Sequence, residues 1–155
     1  MKFEIVGEKL SKVFINDIII STVNLKSEKE LEKFLKSIIL SLKNRYSVIL
    51  KGLYEIDIFV NKKIGALVEI EKIESFMYKE KDVDLKIKVV FDCDFYFKTE
   101  DYFLLSDYKD VYYYKNYFYI KLKSLKKLSK YIELGEIIFG NDLLIEEKGI
   151  KVSKK

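Results

Sequence analysis

The chain has 155 residues, of which 49% are hydrophobic and 35% are charged, and its formal net charge at pH 7 is +4. A chain of this length and hydrophobicity can bury a core, which excludes an intrinsically disordered protein. Basic and acidic residues alternate along the whole chain, which excludes a polybasic arm or an acidic tail.

The first half of the chain predicts a β-β-α-β-β arrangement. Residues 2–6 and 12–20 have the pattern of strands. Ser27 and Glu30 have the spacing of a capping box, in which the Ser27 hydroxyl accepts from the Glu30 amide and the Glu30 carboxylate accepts from the Ser27 amide. A helix from about 28 to 45 follows, because apolar residues recur there at helical spacing. These apolar residues are Leu31, Phe34, Leu35, Ile38 and Leu42.

Two alternating segments predict a β-hairpin after this helix. Gly65 lies between them and can adopt the backbone angles that a tight turn requires. Residues 73–84 lose all periodicity and are mostly charged, so we expect them to be a linker. One face of the hairpin is expected to carry Tyr54, Ile56, Ile58 and Val60 from the first strand and Ala66, Val68 and Ile70 from the second.

The second half opens with the longest alternation in the chain, which predicts one strand over residues 85–97. We expect a short helix at 100–106, a helix at 125–134 that stops at Gly135, and another that begins at Asp142 and ends at Gly149. The apolar face of the long strand is expected to carry Leu85, Ile87, Val89, Phe91, Cys93, Phe95 and Phe97, and its other face Lys86, Lys88, Asp92 and Asp94.

These elements predict an α+β fold of two small lobes, each an antiparallel sheet with helices packed on one face. The alternation of apolar and charged residues suits antiparallel sheets that have one buried and one solvated face. The N-terminal lobe is expected to span residues 1–78 in β-β-α-β-β order. The C-terminal lobe is expected to span residues 79–155 and to contain an aromatic hairpin.

This aromatic hairpin is the segment 111–123, VYYYKNYFYIKLK. If Lys115 and Asn116 form the turn, Asp110 faces Lys121, and the side chains between them divide between two faces. One interpretation of the tyrosine face is packing against a helix such as 125–134. The other is a partner-binding patch, because tyrosine gives a large contact area and loses little rotamer entropy. The core face holds Val111, Tyr113, Phe118, Ile120 and Leu122, and the other face holds Tyr112, Tyr114, Tyr117 and Tyr119.

The order of these motifs resembles the C-terminal domain of the MecA adaptor family. The matching segments are 99–102 (TEDY) at the helix start, 112–119 (YYYKNYFY) in the hairpin and 146–149 (EEKG) near the end. The first half is similar in plan, and its segment 50–60, LKGLYEIDIFV, resembles a strand of that family. Two features depart from the family: the long acidic linker is absent, and residues 18–22, IIIST, are apolar where the family is acidic.

The resemblance implies a cytosolic adaptor that serves regulated proteolysis. Such a protein recruits substrates through its first lobe and docks on a AAA+ unfoldase of the ClpC type through its second. We therefore expect another protein as the partner and the tyrosine face with the neighbouring lysines as the contact site. The predicted contact residues are Tyr112, Tyr114, Tyr117, Tyr119, Lys121, Lys123, Lys126 and Lys127.

Two other functions stay open at this point. Rings beside lysines are also the arrangement of a groove for RNA or single-stranded nucleic acid. Against this, the basic residues are lysines, whereas base reading usually employs arginine. The other alternative is a structural or self-associating domain.

Catalysis has little support in the sequence. Histidine is absent, which removes the commonest general base and metal ligand. Asp92 and Asp94 would lie about 7 Å apart on one strand, with no further ligands nearby. Cys93 falls on the apolar face, and the motifs GxGxxG, GxxxxGK(S/T) and GxSxG are missing. We therefore expect no catalytic residue, no metal and no cofactor, and a protein that is not an enzyme.

The compartment is predicted from the same composition. The start MKFEIVGEKL contains acidic residues where a signal peptide is apolar, and no run approaches the roughly 18 apolar residues of a membrane span. A single cysteine excludes a disulfide framework. We therefore expect a cytoplasmic protein that does not contact a membrane.

Overall fold

The computed structural model describes residues 2–5, 10–46, 52–73, 83–140 and 142–152. Within these ranges, ten strands form two five-stranded sheets, accompanied by three α-helices and two short 3₁₀ helices. The predicted mixture of helices and strands in two sheets is confirmed, with strands as the larger part.

The first sheet is mixed rather than antiparallel. Its strands are β1 (Lys2–Ile5), β2 (Leu10–Asn16), β3 (Gly52–Asn61), β4 (Gly65–Lys72) and β5 (Val83–Val90). They lie in the order β1-β2-β4-β3-β5, and each described pair is antiparallel except β3 and β5, which run parallel. β4 already has β2 and β3 as neighbours, so β5 pairs with the remaining edge of β3, and it runs parallel to β3. The prediction of an antiparallel sheet is therefore wrong at this edge.

The hairpin predicted in the first half is confirmed as β3 and β4. Gly65 has φ = 134°, a conformation that glycine adopts without the steric cost of a side chain. The residues predicted for the core face are all buried on one side of the sheet. Of the predicted linker 73–84, residues 74–82 lie outside the described residues, and Val83 and Asp84 already belong to β5.

A short helix, α1 (Asp17–Ile20), replaces the end of the predicted strand 12–20. It begins after Asn16, whose side-chain oxygen accepts a hydrogen bond from the amide of Ile19 at 3.0 Å. The sequence predicted a strand here because isoleucine is common in strands, and a single capping residue outweighed that preference.

The predicted helix over 28–45 is confirmed as α2 (Glu28–Tyr46). The Ser27 hydroxyl accepts from the amide of Glu30 at 3.4 Å, which is one half of the predicted capping box. The Ser27 amide donates instead to the carbonyl of Asn24 at 3.0 Å, so the other half of the prediction is wrong. The side chain of Leu42 lies outside the described residues. α2 packs on one face of the first sheet through Leu31, Leu35, Ile38 and Ile39.

The second sheet is antiparallel between all of its described strands. These are β6 (Phe95–Thr99), β7 (Val111–Tyr114), β8 (Tyr117–Lys121), β9 (Glu136–Phe139) and β10 (Ile150–Val152). They lie in the order β10-β7-β8-β6-β9. A 3₁₀ helix at Tyr102–Leu105 lies inside the predicted helix 100–106, and α3 (Asp142–Lys148) confirms the predicted helix that begins at Asp142.

The single strand predicted over 85–97 is in fact two strands in different sheets. The chain leaves β5 after Val90 and enters β6 at Phe95, and Asp92 between them has φ = 56°. The Cys93 amide donates to the Val60 carbonyl at 3.0 Å, which fixes the crossing to the end of β3. Alternation continues through the break, so the sequence pattern gave no sign of it. β5 thus joins the first sheet although it falls within the predicted second lobe, 79–155.

The helix predicted over 125–134 is wrong. The segment consists of turns followed by a 3₁₀ helix at Ile132–Leu134. The Leu128 amide donates to Leu125 and the Tyr131 amide to Leu128, which is the tighter bonding of a 3₁₀ turn. The Ser129 hydroxyl also donates to a backbone carbonyl, which favours irregular structure. Leu128 is nevertheless buried, so the segment still contributes an apolar side chain to the core.

The two sheets pack against each other. The ring of Phe59 in β3 stacks on the ring of Phe139 in β9, with centroids 4.3 Å apart and planes 7° apart. Lys12 of β2 lies 3.8 Å from the carboxylate of Glu136 in β9. The two predicted lobes therefore share a core, and the boundary between them at residues 78 and 79 stays a prediction. This shared core includes Phe14, Ile64 and Leu67 from the first half and Phe95, Phe97 and Ile120 from the second.

A double-mutant cycle tests this packing. We expect Phe59→Ala and Phe139→Ala to be coupled by about 0.5–1.5 kcal/mol in the free energy of unfolding, because each ring loses its stacking partner. Urea unfolding followed by circular dichroism measures the coupling. The control pairs Phe59→Ala with Leu40→Ala, an exposed residue of α2 on the opposite face of the first sheet, and should be additive. Additivity of the phenylalanine pair would contradict the sheet packing.

Candidate partner-binding surface

The aromatic hairpin turns at Lys115 and Asn116, as the sequence predicted. Both residues have positive φ, 47° and 66°, which is the conformation of a two-residue type I′ turn. Tyr114 faces Tyr117 across the turn, and the register continues to Val111 and Ile120. The hydroxyl of Tyr113 donates to the side-chain oxygen of Asn116 at 3.3 Å and supports the turn. The prediction of an even-numbered turn is confirmed.

The predicted division of side chains between the two faces is also confirmed. Val111 and Ile120 are buried in the core between the sheets, and Phe118 packs against that core. The four tyrosines of the opposite face belong to a separate cluster with Tyr96 of β6. Period-two alternation from a fixed turn is sufficient to produce this result.

Helix α3 covers part of the tyrosine face. Ile145 of α3 is buried against Tyr96 and Tyr119, and only 7% of Tyr119 is exposed. The Tyr96 hydroxyl donates to the carboxylate of Glu146 at 3.3 Å, which ties the helix to the sheet. The covering helix is therefore α3, not the predicted helix 125–134. Tyr119 acts mainly in packing and offers little accessible surface.

The end of the tyrosine face next to the turn remains accessible. Tyr114 and Tyr117 are only partly buried there. The ammonium of Lys98 lies 4.1 Å from the ring centroid of Tyr117, and that of Lys115 lies 5.2 Å from the ring centroid of Tyr114. Burial disfavours the charge of Lys98, but the Glu136 carboxylate at 3.2 Å outweighs it and raises the pKa of Lys98. Each of the two rings thus has a cation beside it.

Two exposed apolar side chains lie at this same end of the sheet. Phe103 is 83% exposed and Leu134 is 61% exposed. The Thr99 hydroxyl, at the end of β6, donates to the Leu134 carbonyl at 3.4 Å and accepts from the Asp101 amide at 3.1 Å. The Asp101 carboxylate accepts from the Phe103 amide at 2.8 Å. Thr99 pairs with Phe118, next to the turn, so these bonds fix the backbones of Phe103 and Leu134 at this end of the sheet, on the side of the core between the sheets.

We call Lys98, Tyr114 and Tyr117 the hairpin-end surface. The sequence singled out the two tyrosines but missed Lys98, and it also missed the exposed side chains of Phe103 and Leu134. Lys98 lies on the tyrosine side because β6 pairs with β8, and the sequence pattern does not show this long-range pairing. Phe103 and Leu134 lie in short 3₁₀ segments, where periodicity says little about exposure.

The predicted lysines do not join the hairpin-end surface. Lys121 forms an ion pair with Asp94 at 3.1 Å. Asp110, which was predicted to face Lys121, forms an ion pair with Lys151. β8 runs away from the turn, so Lys123, Lys126 and Lys127 follow its far end. Lys126 lines a groove of about 360 Å³ together with Phe14, Asp17 and Ile18 from the first half of the chain. The structure thus divides the predicted tyrosine and lysine site into two separate regions.

The structure also shows where the residues considered for catalysis and metal binding lie. Asp92 lies in the crossing between the sheets rather than on a strand beside Asp94. Within the described residues, no group of three or more His, Cys, Asp or Glu side chains could hold a metal ion. Burial raises the pKa of the Cys93 thiol, which donates to the Val90 carbonyl at 3.3 Å. Among the described helices, none has the length and apolar character needed to cross a membrane.

Comparison with known proteins assigns the chain to no family. No protein-family model matches it, and no curated protein or solved structure matches it. The resemblance to the MecA adaptors therefore stays a prediction from the motifs of the sequence.

The buried phenol of Tyr119 should make stability fall at high pH. Burial raises its pKa above the ordinary value of 10.0, although Lys98 opposes this. The folded state therefore keeps a proton that the unfolded state releases, so this stabilisation is present below pH 10 and decreases as the pH rises further. We expect the free energy of unfolding to fall less steeply between about pH 9 and pH 11 in Tyr119→Phe than in the wild type. Urea unfolding across this range measures both slopes, and equal slopes would contradict the assignment.

Proposed function

We propose that this protein is a non-enzymatic, cytoplasmic protein-binding module that docks a partner on the hairpin-end surface. The observation that carries the proposal is the partial exposure of Tyr114 and Tyr117 next to a tight turn, at an end of the sheet where Phe103 and Leu134 are also exposed. Apolar and aromatic side chains of this kind gain most when a partner removes them from water. Burial of each is worth about 1.5–3 kcal/mol before the costs of association.

The geometry supports contact because the two rings extend from a tight turn and have cations beside them. The type I′ turn fixes the backbone, and Lys98 and Lys115 lie against the rings of Tyr117 and Tyr114. Rings that are held before binding lose little conformational entropy when the partner arrives. Tyrosines in such a setting are frequent centres of binding energy in protein interfaces.

The charges of the surface favour a protein over a nucleic acid. Lys98 is paired with Glu136, so its charge is largely balanced. Lys123, Lys126 and Lys127, which the nucleic-acid alternative requires next to the tyrosines, follow the opposite end of β8. A phosphate backbone would need several accessible cations beside the rings.

Within this class, we propose an adaptor for a AAA+ unfoldase of the ClpC type. The support is the resemblance of residues 99–102, 112–119 and 146–149 to the MecA adaptors, since the hairpin segment contains both exposed tyrosines. In this proposal the two halves act as two lobes: the first recruits substrates, and the second contacts the unfoldase through the hairpin-end surface.

The proposal is tested with the purified chain and a ClpC-type unfoldase. We expect the wild type to co-elute with the unfoldase and to change its ATPase rate at micromolar concentration. The double variant Tyr114→Ala/Tyr117→Ala should weaken binding by about tenfold or more, because two central aromatic contacts are lost. Leu40→Ala, which removes an exposed apolar side chain on α2, is the matched control and should bind normally.

The outcomes separate the adaptor role from the surface. A wild type that neither co-elutes nor changes the ATPase rate would end the adaptor proposal. Normal binding by the tyrosine variant would instead show that the contact lies elsewhere on the molecule.

Salt distinguishes the protein partner from a nucleic acid. We expect affinity for the protein partner to change by less than about tenfold between roughly 50 and 200 mM salt, because apolar contacts dominate. Binding through many phosphates weakens by about 10³–10⁵ over that range. A titration of the partner and of single-stranded RNA at both salt concentrations gives the comparison, and steep salt dependence with RNA as the tighter ligand would favour the nucleic-acid alternative.

A further inference from the structure

Strand β5 forms an edge of the first sheet. Among the described strands it pairs only with β3, in parallel, over eight residues from Val83 to Val90. An edge of this length presents a row of backbone amides and carbonyls that another strand can pair with. Strand addition at such an edge is a common mode of peptide recognition.

The apolar face of β5 is incompletely covered. Leu85, Ile87 and Val89 pack against the core under α2 but are only partly buried. Their register partners on the neighbouring strand β3 are Tyr54, Ile56 and Ile58, which are buried because β3 has strands on both sides. The core of the first sheet therefore extends to an edge where one more strand would complete it.

The opposite face of the sheet has columns of charge that follow the strands. Register places Glu69 of β4 beside Asp57 of β3, and Glu71 beside Glu55, so acidic side chains lie next to acidic side chains. Lysines flank this acidic centre. On β2, Lys12 lies 3.3 Å from Glu69, and on β5, Lys86 lies 3.0 Å from Glu55 while Lys88 neighbours Asp57. Like charges in adjacent strands are destabilising, and the lysine columns offset that cost.

The lysine column of β5 has acidic neighbours on β3 and, along its own strand, Asp84, but none of the described strands lies on its outer side. The side chain of Lys86 is 74% exposed, and within the described residues Lys88 forms no ion pair. A strand added outside β5 would place its own side chains beside these two lysines. Carboxylates at those positions would continue the alternation of charge that the sheet already has.

We propose that β5 binds an extended acidic segment of a partner protein as a sixth strand of the first sheet. Alternate apolar side chains of the segment would cover Leu85, Ile87 and Val89, and its carboxylates would lie beside Lys86 and Lys88. A second copy of the chain is the competing occupant. Antiparallel pairing of two β5 strands about Ile87 sets Lys86 opposite Lys88, and like charges in that position repel, whereas pairing about Leu85 sets Lys86 opposite Asp84. The oligomeric state is therefore measured with the peptide binding.

The probe is an eight-residue peptide of alternating valine and glutamate, with both ends blocked. Added to the isotope-labelled full chain, it should slow amide hydrogen exchange in residues 83–90. The corresponding peptide of alternating valine and lysine should bind more weakly. Lys86→Gln/Lys88→Gln should weaken binding of the glutamate peptide by about 2- to 30-fold, because two cross-strand charge pairs are lost.

Control variants separate the edge from general charge. Lys29→Gln/Lys33→Gln on α2 makes the same change of net charge and should bind the peptide as the wild type does. Lys88→Gln alone keeps the Lys86–Glu55 ion pair and serves if the double variant is unstable; it should weaken binding by about 1.5- to 5-fold. The Tyr114→Ala/Tyr117→Ala variant should also bind normally, because this site is separate from the hairpin-end surface.

Three results would overturn the proposal. The first is equal binding of the glutamate and lysine peptides, and the second is protection confined to amides outside residues 83–90. The third is a mass by light scattering that doubles with concentration and is lost in Lys86→Gln/Lys88→Gln, which would make a second copy the occupant of the edge.

Discussion

The crossing of the chain between its two sheets is the constraint on which the rest of the structure depends. At residues 91–94 the backbone leaves β5 and enters β6, and the Cys93 amide and carbonyl bond to Val60 and Asn61 at the end of β3. This anchor places the second sheet over one end of the first, where Phe59 stacks on Phe139. Beyond that end, Lys86 and Glu55 of the first sheet lie towards solvent. One short segment thus determines which faces are buried.

The same arrangement determines what the tyrosines do. The inner face of the hairpin is buried in the core between the sheets. Its outer face is therefore either covered by another element or exposed to water. Helix α3 covers Tyr96 and Tyr119, whereas Tyr114 and Tyr117, next to the turn, stay partly exposed. Both interpretations of the tyrosine-rich segment therefore apply to part of it: one end packs against a helix, and the other end is partly exposed. The buried Tyr119 and the partly exposed Tyr117 belong to the same strand, so the packing of Tyr119 fixes the strand that carries Tyr117.

The two surfaces proposed for binding rely on different physical interactions. The hairpin-end surface offers aromatic side chains, whose affinity comes from the removal of apolar area from water. The β5 edge offers backbone hydrogen bonds, and the lysine column selects among segments that all present the same backbone. They lie on different sheets, so both can be occupied together. This arrangement suits a protein that brings two partners into proximity.

Sequence alone determined the local features of this protein. Period-two alternation identified the inward residues of β3, β4 and the aromatic hairpin, and capping and turn residues located α2, α3 and the turn at Lys115 and Asn116. It could not show that β5 and β6 lie in different sheets, that β5 runs parallel to β3, or that α3 covers Tyr119. Those features depend on pairing between residues far apart in the chain, whereas periodicity reports only which side of its own strand a residue occupies. Only the tertiary structure could therefore decide which tyrosines remain accessible and which lysines lie beside them.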